Sequence, residues 1–168
     1  MAGPRLLGHG PRVKSMPVSK GATMKLRTIG YEAATQGAVI AALTAAGVEV
    51  LIDVRAVPSS RRAGFSKTLL AASLAEAGIA YVHLRALGTP KPGRQAARAG
   101  RHAEMVRIYE AHLAEPQAQF ELAEALDIAR ERPSALLCYE ADAAHCHRRI
   151  VADRLSERFA FEVEDLKP

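Results

Sequence analysis

Short apolar runs alternate with segments of helical periodicity along most of the chain. The apolar runs predict five strands, at residues 26–29, 49–54, 80–84, 134–139 and 161–166. Apolar residues three and four apart predict helices between Thr35 and Gly47, between Ser66 and Gly78, from about Arg101 onward with a break at Pro116, and from Ala143 to Arg158. Because strands and helices alternate, we expect an α/β fold: a single three-layer domain with a mostly parallel sheet and helices on both faces.

The polar segments between these elements are unevenly charged. Residues 55–67 hold four basic residues and no acid, and residues 85–107 hold six basic residues with Glu104 as their single acid. The second stretch contains Gly88, Pro90, Pro92 and Gly93, which predict a long loop. Two acid-poor basic stretches in one small domain favour an anionic partner.

Composition narrows the class of protein. The formal charge of +5 belongs largely to residues 1–23, which carry four basic residues and no acid. We expect these residues to be a disordered basic leader, a cloning remnant or an early gene start, and residues 24–168 to be the α/β domain. No apolar run approaches the roughly 20 residues that span a bilayer. Two cysteines are too few for a disulfide framework, so we expect a cytoplasmic setting and no membrane partner.

Polar side chains follow four of the predicted strands. In an open α/β sheet, ligands bind beyond the carboxyl ends of the strands. The strand exits here are residues 30–32, 53–55, 83–85 and 138–140, and each delivers a polar or reactive side chain. Together with the loop that carries Arg61 and Arg62, these exits predict a site at one edge of the sheet.

The segment CYEADAAHCHRR, residues 138–149, holds both cysteines. Cys138 ends an apolar strand, and Asp142 has the position and chemistry of a helix N-cap. His145, Cys146 and His147 would then lie in the first helical turn. The helix dipole favours a thiolate there, so we expect Cys146 to react faster than Cys138 with an alkylating probe.

Three chemistries fit this segment. A transition-metal site would use Cys138, Cys146 and His147, but their spacing is unlike that of structural zinc sites and arginines oppose a cation, so we expect no metal. A cysteine-dependent enzyme would be rhodanese-like in architecture only, because Glu140 and Asp142 make the loop after Cys138 acidic. An anion site would use arginines and a helix N-terminus; its arginines are Arg55, Arg61, Arg62 and Arg148.

Five motifs in order along the chain carry a resemblance to a known family. They are TIGYE (28–32), LIDVR (51–55), PSSRR with GFSK (58–67), YVHLRALGTPK (81–91) and CYEADAAHCHRR (138–149). The set resembles the domain-of-unknown-function 488 family (DUF488), which implies an α/β fold but no reaction. The residues that the family motif marks are Gly30, Asp53, Arg55, Ser60, Arg61, Cys138, Glu140, Cys146, His147 and Arg148.

These observations lead to one prediction and three alternatives. We expect a phosphate-bearing or other anionic ligand at the carboxyl edge of the sheet, contacted by Arg61 and Arg148, with Asp53 orienting Arg55 or acting as an acid or base. The other ligand-binding candidates are Gly30, Ser60, Glu140 and His147, and the catalytic candidates are Asp53, Cys138 and Cys146. No cofactor is expected. The alternatives are a cysteine-dependent enzyme, a nucleic-acid-binding module and a transition-metal site; whether a reaction is catalysed, and the oligomeric state, are left open.

Overall fold

The computed structural model describes residues 23–168, so the predicted leader lies almost wholly outside the described residues. Five strands and six α-helices follow one another in this part of the chain. The strands are β1 (Met24–Gly30), β2 (Val50–Asp53), β3 (Ala80–His83), β4 (Ser134–Cys138) and β5 (Phe161–Leu166). The helices are α1 (Gln36–Ala45), α2 (Lys67–Glu76), α3 (Lys91–Arg98), α4 (His102–Leu113), α5 (Pro116–Glu131) and α6 (His147–Arg158).

The strands form one parallel sheet in the order β3-β2-β4-β1-β5. One face is covered by α1 and α2, whose buried residues include Val39, Leu43, Leu70 and Leu74. The other face is covered by α4, α5 and α6, with small or apolar side chains from each helix in the core. The predicted single α/β domain with helices on both faces is thereby confirmed. None of the helices within residues 23–168 has the length and apolar character needed to cross a membrane.

The sheet order creates a crevice between β1 and β4. These strands are neighbours, with Gly30 paired to Cys138 at their carboxyl ends. The chain leaves β1 through α1, on one face, and leaves β4 through α6, on the other. Segments that diverge in this way open a cleft at the carboxyl edge, which is where ligands bind in this class of fold.

Two predicted elements differ from the structure. Residues 91–98, predicted as a loop, form α3. Pro92 is compatible with this helix because it lies in the first turn, where its missing N–H removes no helical hydrogen bond. The last helix begins at His147 and not at Ala143: residues Ala143–His145 form a 3₁₀ turn, which Asp142 caps by accepting from the Ala144 amide. Cys146 is therefore the N-cap residue of α6 and lies before its first turn.

Candidate functional site

A pocket of about 740 Å³ lies at the carboxyl edge of the sheet. Three strand exits contribute to its wall: Tyr31 and Glu32 follow β1, Arg55 follows β2, and Cys138 ends β4. The fourth predicted exit, at residues 83–85, does not line it. The opposite wall comes from α3 and α4, and its residues are Arg94, Ala97, Arg98 and Met105.

Arg55 is held in place by the protein at the base of this pocket. Its Nε and Nη2 donate to the carboxylate of Asp53 at 2.9 and 2.7 Å, and its Nη1 donates to the Tyr31 hydroxyl and the Phe65 carbonyl oxygen. Both charged groups are buried, and the hydroxyl of Tyr81 also donates to Asp53. Burial alone would lower the pKa of Arg55, but the Asp53 carboxylate outweighs it and raises that pKa. The Asp53 carboxylate therefore fixes the position of the Arg55 guanidinium.

Arg148 is also committed to contacts within the protein. It is buried, and its guanidinium donates to the Thr28 hydroxyl and to the carbonyl oxygens of Glu140 and Ala141. These bonds fix the loop that follows β4, and Arg148 does not line the pocket. The structure thus gives Arg148 a structural role, and its contact with an anion stays a prediction.

Gly30 also has a structural role. A Cβ at this position would lie 1.8 Å from the Glu140 carbonyl oxygen, so no other residue leaves room for that loop. Ser60 and Arg61, likewise expected at the ligand, lie outside the pocket lining. The Ser60 hydroxyl accepts from the Arg62 amide, while the Arg62 side chain donates to the carbonyl oxygens of Glu32 and Ala34.

The two cysteines and His147 converge at the floor of the pocket. The Nδ1 atom of His147 lies 3.6 Å from the Cys138 Sγ and 3.8 Å from the Cys146 Sγ, and all three residues are buried. The other ring nitrogen, Nε2, lies 2.7 Å from the Val54 carbonyl oxygen. A carbonyl oxygen can only accept, so Nε2 carries a proton and Nδ1 faces the sulfur atoms. Cys138 reaches the pocket, whereas Cys146 lies behind it.

The pKa values of the two cysteine thiols shift in opposite directions because the two groups are buried in contact with each other. Contact with Cys146, together with burial, raises the pKa of the Cys138 thiol. Burial would also raise the pKa of Cys146, but Cys138 and His147 stabilise its thiolate and lower that pKa. The same direction was predicted for the pair from a helix terminus. Cys146 is only 2% exposed, however, so burial opposes this effect.

Glu140 completes the polar floor. Its carboxylate oxygen lies 3.3 Å from the Cys138 Sγ and it lines the pocket. Burial and the nearby Cys146 raise the pKa of Glu140. The concentration of two thiols, a carboxylate and an imidazole within one small volume suits either thiol chemistry or the coordination of a cation.

The loop after Cys138 is not an anion cradle. The Ala141 amide donates to the Glu32 carboxylate at 3.0 Å, and the Ala144 amide donates to Asp142 at 2.9 Å. These carboxylates occupy backbone donors that, in a rhodanese-like arrangement, would face the substrate. Asp142 is one of the two acidic residues that the sequence marks in this loop, whereas Glu32 follows β1.

Basic side chains on α3 were missed as site residues. Arg94 and Arg98 lie one helical turn apart and both line the pocket. The Arg94 Nη1 donates to the Thr89 carbonyl oxygen at 2.8 Å, which directs the side chain. Within residues 23–168, neither guanidinium pairs with a carboxylate. The acid-poor stretch 85–107 was the available signal, but Pro90, Pro92 and Gly93 concealed the helix.

Comparison with known proteins identifies a family. A family model described as "Domain of unknown function DUF488" matches residues 35–155, well over half of the chain. No curated protein and no solved structure matched. This family description names no activity.

Proposed function

We propose that this chain, which belongs to the DUF488 family, binds an anionic small molecule in the pocket at the carboxyl edge of its sheet. The observation that carries the proposal is the pair Arg94 and Arg98, which line the pocket without a carboxylate partner among residues 23–168. Like charges one helical turn apart repel each other, and an anion between them removes that repulsion.

Charged side chains on the wall opposite Arg94 and Arg98 already have partners within the protein. Glu32 accepts from a backbone amide, and the guanidinium of Arg55 is neutralised by Asp53. Arg94 and Arg98 are therefore the charged groups best placed to meet a ligand. Arginine binds carboxylate or phosphate oxygens through two parallel N–H donors, and such charge-assisted bonds are stronger than neutral ones.

The pocket also offers apolar surface. Val57, Met105, Tyr31 and Tyr139 line it beside the arginines, and Tyr139 is 43% exposed. A volume of about 740 Å³ lies within the range of small-molecule sites, and a mixed lining of this kind suits a ligand with an apolar or aromatic body and an anionic end. Phenyl phosphate has both features, and phenol is its uncharged counterpart.

Calorimetric titration with phenyl phosphate and with phenol tests the proposal. We expect the wild-type protein to bind phenyl phosphate more tightly than phenol. Arg98→Gln should weaken phenyl phosphate binding about 10- to 100-fold, because a hydrogen bond to a charged group contributes about 1.5–3 kcal/mol. Arg94→Gln should act in the same direction.

Arg107→Gln is the matched control, because Arg107 is exposed on the neighbouring helix and does not line the pocket. This variant should bind phenyl phosphate as the wild type does. Equal binding of phenol and phenyl phosphate, or the same affinity in all three variants, would overturn the proposal. An equal loss in Arg107→Gln and Arg98→Gln would point to attraction by net charge and not to a pocket.

A further inference from the structure

We propose that Cys138, Cys146 and His147 bind a transition-metal ion of the zinc class, with one coordination position open toward the pocket. The three potential ligand atoms, two Sγ and one Nδ1, lie within 4.8 Å of one another and belong to buried residues. Thiolate and imidazole are the ligands that zinc prefers in proteins.

The distances agree with a shared ion. Zinc–sulfur bonds of about 2.3 Å and zinc–nitrogen bonds of about 2.0–2.1 Å at a tetrahedral angle place sulfur and nitrogen roughly 3.6 Å apart. The Nδ1 atom of His147 lies 3.6 Å from the Cys138 Sγ and 3.8 Å from the Cys146 Sγ. Both sulfur–nitrogen distances thus match coordination to one ion, and the two sulfur atoms lie within 4.8 Å of each other.

His147 has the orientation of a metal ligand. Its Nε2 donates to the Val54 carbonyl oxygen at 2.7 Å, which fixes the ring and leaves Nδ1 as the atom directed at the sulfurs. Metal-binding histidines usually donate their second nitrogen to a carbonyl or carboxylate in this way. Tyr109 packs edge-on against the ring, with centroids 5.2 Å apart, and restricts its movement further.

The arginines next in sequence bond to other groups. Arg148 turns its guanidinium to Thr28 and to two carbonyl oxygens, and Arg149 is exposed and pairs with Asp153 and Asp165. Binding of the ion would release the protons of both cysteines. A divalent ion balances the two thiolates formed in this way, so no unpaired charge is left buried.

The fourth position faces the pocket. Cys138 and Glu140 both line the pocket, and the Glu140 carboxylate lies 3.3 Å from the Cys138 Sγ. Glu140, water or a ligand donor atom can occupy that position, as in zinc centres that keep three protein ligands. The inference rests on the cysteines and His147 alone, so it does not depend on anion binding by Arg94 and Arg98.

Equilibrium dialysis of the chelator-treated full chain against Zn²⁺, followed by elemental analysis, tests the site. We expect about one zinc per chain, as one four-coordinate site requires. Cys146→Ser and His147→Gln should lose this zinc. His145→Gln is the control: His145 is exposed and bonds to Asp142, so its loss should leave the zinc content unchanged.

A second readout uses only the wild-type chain, in case the buried substitutions impair folding. Zn²⁺ should slow alkylation of both cysteines, and added chelator should restore it, because a coordinated thiolate is no longer a free nucleophile. Substitution of Co²⁺ should give the absorption of thiolate–cobalt charge transfer. The proposal is overturned if wild-type protein retains no zinc after dialysis, if His145→Gln loses the zinc instead, or if the cysteines label equally fast with and without Zn²⁺.

Discussion

Removal of one partner from the buried pair Asp53–Arg55 should strongly destabilise the protein. Asp53 is fully buried, Arg55 is 5% exposed, and the shortest distance between them is 2.7 Å. In Asp53→Asn the guanidinium keeps its place but loses its counter-charge. An uncompensated buried charge costs about 3–5 kcal/mol, which is a large part of the roughly 5–15 kcal/mol that stabilises a typical domain.

A double-mutant cycle separates the pair from general damage to the core. Arg55→Met alone leaves the Asp53 carboxylate with the Tyr81 hydroxyl and a backbone amide, and should cost a similar amount. The double variant Asp53→Asn/Arg55→Met buries no unpaired charge, so its loss should be smaller than the sum of the single losses by about 2 kcal/mol or more.

Urea denaturation followed by circular dichroism gives these free energies of unfolding. Glu104→Gln is the control, since the Arg101–Glu104 pair is exposed and should contribute less than about 1 kcal/mol. The reasoning fails if Asp53→Asn costs no more than Glu104→Gln, or if the two single losses simply add in the double variant.

Two further predictions use matched pairs of sites, each read as a change in the free energy of unfolding. Gly30→Ala should destabilise the protein by about 1–3 kcal/mol or more, because the added Cβ would clash with the Glu140 carbonyl oxygen. Gly37→Ala in α1 should stabilise the protein by about 0.4–1 kcal/mol, because the added Cβ has no atom within 4 Å. Thr35→Ala should cost about 1 kcal/mol because the Thr35 hydroxyl caps α1, whereas Ser66 makes no side-chain cap bond to α2 and its replacement should cost less. Reversed order within either pair would contradict the account.

The alternation of strands and helices could be predicted because each element carries its own periodicity. The 134–139 run is mostly apolar, and it appears as β4 within one residue, with all five residues of the strand buried. The order of the strands could not be predicted, because it depends on which helices cross which face, and each crossover in isolation fits either side of the sheet. The crevice between β1 and β4 is a consequence of that order.

Part of the site could also be predicted from the sequence. Strand direction and the face of the last helix predicted Cys138, His147 and Asp53 at one sheet edge. Cys138 and His147 line the pocket, and Asp53 is linked to it through Arg55. The sequence does not show which group each guanidinium contacts. Those of Arg55 and Arg148 bond to groups of the protein, whereas Arg94 and Arg98 line the pocket without a carboxylate partner. The cytoplasmic setting, the nucleic-acid alternative and the cysteine-dependent enzyme stay predictions.

The location of a bound dianion tests the central claim most directly. Selenate is a tetrahedral dianion, and anomalous diffraction at the selenium edge finds it in a soaked crystal without reference to its surroundings. We predict a selenium peak in the pocket, within hydrogen-bond distance of both Arg94 and Arg98 through its oxygens, and no such peak in crystals of the double variant Arg94→Gln/Arg98→Gln. Selenium peaks confined to exposed arginines such as Arg61 or Arg107, with the pocket empty of selenate, would contradict the assignment of this pocket as an anion site.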